Sequence, residues 1–592
     1  MRNLFISRFL LLLAVFLLTM PHAFAQTTAR VGERQRYQFE LQAPPELTIV
    51  LTRYLEVVRR QYDDDIDDEQ LIVLADRALR QARSLLQTEG YFSPDVEVNL
   101  ENTSELPHII MKVTAGTPVR IVQQQLTLIG VGRGQAENFY EARRLDEKWQ
   151  LSVGQIFRQE PWEASKSAML REFRLEVFPN AKIAFSEARI DIEKQTAELR
   201  IEIDVGEPIW FGEMRLHGLS RYPDRIVTNQ YTLLPGQAYS QARLAQFQAE
   251  LLSQPYFSNV SVQALLDQTS DGRVPVLIEL EEVQRRKITL GAGYSSNTGI
   301  RAQAGYNDLN LAERGWRLET LAKLELRQQS LESKVSLPRR ADGWEDGFRA
   351  AWTRSDIEGL DTRTSEVVLR RSKEQARIVR AYELKLAYSL EQVAGMTRRS
   401  TRAVAPGYDW TYRSLDSLIY PREGYWLNLQ AGIAAKAFLS DQNFIRTYGK
   451  YLHYWPVGAD RDSLQLRFEG GAVLASSRVG IPQEFLFRAG GDQSLRGYDY
   501  QSLGVREGAA VVGTRYLAIA GLEYTRWFSQ QWGVGLFTEA GNAFDQPGRF
   551  RPVLGLGAGP RWRSPLGPVN VDLAYGERER QWRLHFSLGL VF

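Results

Sequence analysis

From Arg285 onward the chain alternates between apolar and polar residues. Leu318, Thr320, Ala322, Leu324 and Leu326 interleave with Glu319, Lys323, Glu325 and Arg327, the period of an extended strand with one apolar and one charged face. The same period returns in Tyr382, Leu384, Leu386, Tyr388 and Leu390 against Glu383, Lys385 and Ser389, and in Leu464, Leu466 and Phe468 against Gln465, Arg467 and Glu469. In a soluble sandwich such strands turn their apolar face to a core, whereas in a transmembrane barrel that face meets lipid and the charged face lines water. Aromatic residues near strand ends, namely Tyr425, Trp426, Tyr454, Trp455, Trp527, Phe528 and Trp532, suit the interfacial girdles of the barrel. The pattern therefore predicts a transmembrane antiparallel β-barrel of about 16 strands over residues 285–592.

Before Arg285 helical and strand periods mix. Leu71, Leu74, Ala75, Ala78, Ala82 and Leu85 form one helical stripe, as do Leu244, Phe247 and Leu251. Alternating strands follow, in Leu199, Ile201, Ile203 and Val205 and in Val276, Ile278 and Leu280. Gly116-Thr117-Pro118 and Gly206-Glu207-Pro208 open equivalent strands that end at Gly130 and Gly218, so the segment reads as a repeat. Three α+β units, each a strand, two helices and two strands, are expected over residues 26–114, 115–204 and 205–284.

Residues 1–25 start with Arg2 and Arg8, continue through an apolar run and end in Ala23-Phe24-Ala25. This is the order of a secretory signal peptide, with cleavage expected between Ala25 and Gln26. Nowhere does the chain hold about 18 consecutive apolar residues, so insertion into a membrane has to use strands. Cysteine is absent, which removes disulfides and thiolate metal sites. The 73 basic residues nearly balance the 71 acidic ones, so no global field favours nucleic acid.

Five histidines are scattered without a metal-binding spacing, and no Gly-x-Ser-x-Gly elbow occurs. Gly555, Gly557 and Gly559 fall inside a strand pattern with no helix following, unlike a nucleotide loop. The acidic run Asp63–Glu69 reads as a solvated turn at a helix start rather than a calcium loop. Hence no enzyme, metal or cofactor is expected.

One loop stands out: Gly490-Gly491-Asp492-Gln493-Ser494-Leu495-Arg496-Gly497-Tyr498. Both flanks read as membrane strands, so the loop either projects outward or folds back into the lumen, where Arg496 would meet a protein partner. With the signal peptide, three units and barrel, this loop makes the chain resemble the BamA/TamA superfamily of outer-membrane assembly proteins, and within it the TamA family. The family loop motif Val/Ile-Arg-Gly-Phe/Tyr is matched by Leu495-Arg496-Gly497-Tyr498, with leucine at its first position. The α+β units resemble POTRA domains, and the alternating end Trp582 to Phe592 resembles the C-terminal assembly signal of outer-membrane proteins.

The resemblance implies that the loop returns into the lumen and that Arg496 meets acids on the wall. Glu539, in Phe537-Thr538-Glu539-Ala540-Gly541, resembles a family strand of form Phe-x-Asp-x-Gly, and Glu523 lies on the preceding strand; both are expected partners. Gly291, Gly293, Tyr294 and Ser295 begin the first barrel strand, which must close against the last strand with Phe586, Leu588, Leu590 and Phe592. The glycines either loosen that seam so that it opens sideways or only accommodate a bend.

By the same resemblance the protein lies in the outer membrane of a Gram-negative bacterium, with its POTRA domains in the periplasm. It would help insert or translocate β-rich outer-membrane client proteins such as autotransporters, with a TamB-like inner-membrane-anchored partner and outer-membrane lipid. Two other readings are a two-partner-type secretion pore for an unfolded exoprotein and a component of lipid transport to the outer membrane. The three units and the lack of a plug helix oppose the pore.

Overall fold

The computed structural model describes residues 35–63, 65–101, 106–393, 396–458, 461–565 and 567–588. The expected signal peptide with Ala25 and Gln26, Asp64 of the acidic run, and the terminal Leu590 and Phe592 lie outside these residues.

Three small sheets precede the barrel, and each has the same construction. The strands Gln38–Gln42, Asp95–Glu101 and His108–Thr114 form the first; Arg120–Ile129, Lys182–Asp191 and Thr196–Asp204 the second; Trp210–His217, Phe257–Ala264 and Arg273–Glu282 the third. In each, the third strand is central, parallel to the first and antiparallel to the second. In the first repeat, helix Asp68–Thr88 buries Leu71, Leu74, Ala75, Ala78, Ala82 and Leu86 in one cluster with Ile109, Met111 and Val113. Leu85 packs half-buried against the same cluster, and the fully buried Leu86, four residues on from Ala82, extends the stripe. The acidic run caps this helix: the Asp67 carboxylate accepts the Gln70 N–H at 2.8 Å, while Asp63 and Asp65 pair with Arg60.

Residues up to Ile209 form one compact unit; the third repeat, from Trp210, forms a second with the barrel. The junction within that second unit is specific. The Tyr256 hydroxyl donates to the Gly315 carbonyl at 2.7 Å, and Asn310 Nδ2 donates to the Arg221 carbonyl at 2.7 Å. Asn229 Nδ2 reaches the Arg339 carbonyl at 3.2 Å, and buried Asp308 is held by Arg285 and Arg286. Glu282 shapes the docking loop by accepting the backbone N–H groups of Ser220, Arg221 and Tyr222 at 3.0, 2.8 and 3.1 Å. Partial burial works to raise the Glu282 pKa, but these donors outweigh it and hold the carboxyl below its ordinary value.

The barrel is a 16-stranded antiparallel sheet in which consecutive strands pair. Between its eleventh strand, Asp462–Leu474, and its twelfth, Tyr516–Trp527, runs the long connection 475–515, at the barrel end away from the third repeat. Burial is inverted relative to a soluble fold: Leu324 is 62% and Phe468 48% exposed, while Glu325, Ser389, Asn428 and Lys450 are buried inside. Three of the expected girdle aromatics turn inward instead. Trp426 and Tyr454 are each one residue out of phase with the outward Tyr425 and Trp455, and Trp527 shares the inner face of Glu523, under the Arg563 guanidinium at 4.0 Å.

The sheet is nearly closed. Among the described residues the first strand, Arg286–Ser295, pairs only with the second, and the last, Gln581–Leu588, only with the fifteenth, Gly567–Gly576. Closure by a ladder between first and last strands, as the sequence suggests, is not formed among the described residues. There the Phe586 N–H donates to the Ser296 hydroxyl at 3.2 Å.

Candidate functional site

The connection 475–515 folds into the lumen and packs its own apolar residues against the wall. Leu495 and Tyr498 are fully buried in a cluster with Phe444, Phe485, Phe487, Ile519 and Val553. The Tyr498 hydroxyl donates to the Leu554 carbonyl at 2.9 Å, which fixes the loop tip against the fourteenth strand, Val553–Ser564. Gly490 and Gly491 take φ of 106° and 98°, bending the chain back on itself. Gly497, at φ 93°, lies so close to the fifteenth strand that a Cβ would sit 2.8 Å from the Gly576 nitrogen and the Tyr575 carbonyl carbon.

Between Leu495 and Gly497 the Arg496 side chain enters a ring of acids. Its Nε and Nη2 contact Glu539 Oε1 at 3.0 and 2.7 Å, Nη2 also contacts Glu523 at 2.9 Å, and Nη1 contacts Asp572 at 2.8 Å. The Arg496 backbone N–H donates to the other Glu539 oxygen at 2.7 Å. The guanidinium lies flat over Phe537, 3.4 Å from the ring centroid. Glu523, Glu539 and Asp572 sit on the twelfth, thirteenth (Trp532–Phe544) and fifteenth strands, all on inward positions.

Two wall arginines complete the cluster. Arg561 bridges Glu523 at 2.8 Å and Asp572 at 2.6 Å, and Arg467 contacts Glu539 at 3.1 Å while donating to the loop carbonyls of Gln493 and Ser494. Three guanidiniums thus face three carboxylates, so buried charge is balanced and each acid is hydrogen-bonded. The space left beside the cluster is about 120 Å³, room for a few waters at about 30 Å³ each. Among the described residues no three His, Asp or Glu side chains are arranged to hold a metal ion. The arrangement ties the loop to the wall through all three carboxylates.

The structure brings together Gly490, Gly491, Leu495, Arg496, Gly497, Tyr498, Glu523 and Glu539. Asp572, Arg561, Arg467 and His585 belong to the same site and escape the sequence reading. His585 accepts the Gly497 N–H at 2.9 Å, so one of the scattered histidines is part of the lock. Their common signal is a lone ionisable residue between apolar neighbours, as in Val571-Asp572-Leu573, Leu466-Arg467-Phe468 and Leu584-His585-Phe586. Gly555 and Gly557 leave room for the Arg496 carbonyl and the Phe537 ring, which is their role in the strand.

The seam residues lie apart from the charge cluster but touch the same loop. Asn297, in the turn after the first strand, donates to Asp492. From the last strand Arg583 binds the Gly497 carbonyl at 3.0 Å and the Asp499 carboxylate at 2.8 Å. A Cβ at Gly291 would meet the Gln303 side chain at 3.1 Å, whereas one at Gly293 would meet nothing. Tyr294 is exposed, Ser295 and Phe586 are half-buried, and Leu588 ends the described last strand.

Residues 285–592 match the Omp85 superfamily domain. The outer membrane protein assembly factor BamA of Nitratidesulfovibrio vulgaris is 22% identical over 439 residues, 69% of this chain and 55% of that protein, so the match spans about half of that relative. BamA of Neisseria meningitidis serogroup B is 20% identical over 599 residues, 87% of this chain and 72% of that protein. Among solved structures, BamA from Haemophilus ducreyi lacking POTRA domains 1-3 shares the fold, with a TM-score of 0.66 at 16% identity over 80% of this chain and 100% of that one. With a 16-stranded barrel that tucks its longest loop inward and a domain match over more than half of its residues, the chain belongs to the Omp85 superfamily.

Proposed function

We propose that the protein is an outer-membrane assembly and translocation factor of the TamA kind, which hands β-rich clients into the membrane through its seam. The observation that carries this reading is the edge left without a ladder between the described residues of the first and last strands. In a membrane an unpaired edge leaves backbone groups unsatisfied, and an incoming strand relieves that cost by pairing with them. Two relatives bear the name of outer membrane protein assembly factors, which agrees with it. The α/β repeats act as POTRA domains in the periplasm: each sheet keeps its second strand on an edge, a place for a client or a TamB-like inner-membrane-anchored partner to add a strand. The loop packed into the lumen argues against an open secretion pore for an unfolded chain.

The test uses the absence of cysteine. A single thiol is introduced by Ser295→Cys, a nearly isosteric change, and crosslinked in living cells while outer-membrane and secreted proteins are being made. Adducts with the terminal strands of nascent barrels are expected. Absence of seam adducts, together with secreted-chain adducts at lumen positions, would replace the assembly reading with the secretion pore.

A further inference from the structure

At the loop end of the barrel a cavity of about 800 Å³ opens between the turn 545–552, the hairpin turn 577–580 and the inward-folded loop. Arg549, Arg551, Arg578 and Arg580 line it, and all four are exposed. None of the four side chains has an ion pair or hydrogen bond among the described residues. That sets them apart from neighbouring arginines, since Arg478 and Arg515 both pair with Asp545, at 3.4 and 3.3 Å. Of the two carboxylates in the lining, Asp545 is therefore already neutralised, and Glu577 alone is left against four guanidiniums. Like charges gathered around one concavity repel, and a multivalent anion relieves that repulsion. Arginine's fork suits phosphate oxygens in particular.

A second observation narrows the ligand. Phe544 lines the cavity from the lipid-facing side of the thirteenth strand and stacks on Tyr516, with centroids 5.5 Å apart, and against Phe550 at 4.8 Å. Such a belt marks the membrane interface. Guanidiniums at the mouth with aromatics on the lipid side beside them fit a molecule whose phosphates lie in water and whose chains lie in the bilayer. The cavity also falls in the size range of small-ligand sites, about 300–1,000 Å³, room for a sugar headgroup.

We propose that this mouth binds the phosphate-bearing headgroup of an anionic glycolipid of the outer leaflet. The inference rests on the reading above only in placing this barrel end, opposite the third repeat, outside the cell.

The probe is purified lipid A carrying both phosphates, added to the full-length protein in detergent and followed by native mass spectrometry. The variant combines Arg549→Gln, Arg551→Gln, Arg578→Gln and Arg580→Gln, with heat-modifiable migration as the check of folding. Loss of the charge-assisted contacts is expected to weaken lipid A binding about tenfold or more. Removing the phosphates from the lipid should weaken binding to the unaltered protein to the same degree, and millimolar inorganic phosphate should not compete. If the fourfold variant does not fold, Arg549→Gln with Arg551→Gln and Arg578→Gln with Arg580→Gln are measured as separate pairs, each expected to give part of the loss.

Equal binding by variant and unaltered protein, or equal binding of the dephosphorylated lipid, overturns the proposal. Displacement by inorganic phosphate makes it a free-phosphate site and overturns the lipid. Arg549→Cys labelled on intact cells by a membrane-impermeant maleimide separates the two readings. Failure to label sinks the orientation and with it this site, whereas labelling with unchanged lipid binding sinks the lipid site alone.

Discussion

Replacing Arg496 by lysine keeps the charge and removes the geometry, which makes it the sharpest probe of the lumen cluster. The guanidinium serves Glu539 through two nitrogens, Glu523 through one of these and Asp572 from its far side. An ammonium is a single point and cannot reach Glu539 and Asp572 together. Two charge-assisted bonds are then lost, and at about 1.5 kcal/mol or more each the cost is about 3 kcal/mol. Arg496→Met goes further: two guanidiniums would face three buried carboxylates, a change expected to cost about 3–5 kcal/mol. Combining Arg496→Met with Glu523→Gln restores equal numbers and should recover about 1–3 kcal/mol relative to the sum of the single changes. The assay is guanidinium-induced unfolding in thin lipid vesicles, read by tryptophan emission. If Arg496→Lys falls within about 0.5 kcal/mol of the unaltered barrel, the range of an uninvolved surface site, the bidentate account is wrong. Strict additivity in the double variant would likewise remove the charge-balance argument.

Gly497→Ala forces a Cβ against the Tyr575–Gly576 backbone at positive φ, so a cost of about 1–3 kcal/mol and faster protease cleavage within 475–515 are expected; unchanged cleavage would contradict it. Tyr256→Phe leaves the Gly315 carbonyl without its buried donor, at about 1–3 kcal/mol, and should raise hydrogen exchange across 310–315 while sparing the far end of the barrel. For Glu282 the folded pKa is depressed. Its contribution is therefore full above the unfolded value of about 4.3 and is lost as pH falls through the folded one. Exchange at 220–222, corrected for intrinsic rates, should rise between about pH 6 and pH 3 in the native protein, and Glu282→Gln should abolish that dependence. A flat profile in the native protein would show that the carboxylate does not hold this loop.

The barrel was legible because alternation is a local property: Leu324 beside Glu325 already states which face meets lipid. The α/β repeats were legible for the same reason, their helix stripe missing only Leu86 beside the expected Leu85. Phase was harder near strand ends, where Trp426, Tyr454 and Trp527 look like their outward neighbours by composition and differ only in parity. The charge cluster was half visible. Glu539 came from resemblance to a known strand and Glu523 from its place on the strand before it, whereas Asp572, Arg561 and His585 arrive from later strands that meet the loop only in three dimensions. The missing ladder between the described parts of the first and last strands had only an ambiguous signal, Gly291 and Gly293, because an edge is defined by what is not beside it.

The loop straddles that edge unevenly. On one side Asn297, in the turn after the first strand, bonds Asp492, and farther round the wall Glu391 and Arg399 hold Gln483 and Glu507; on the other, Arg583, His585 and the Arg496 cluster bind the loop to the last five strands. At the seam itself, parting the two edges would therefore strain the Asn297–Asp492 pair before the denser contacts with the last strand. The base of the first strand stays anchored, since Arg285 and Arg286 are clamped by Asp308 beside the third repeat. On the proposed assembly reading, an opening of the seam is expected to hinge at this base and to part at the loop end, one leaf swinging against a doorpost.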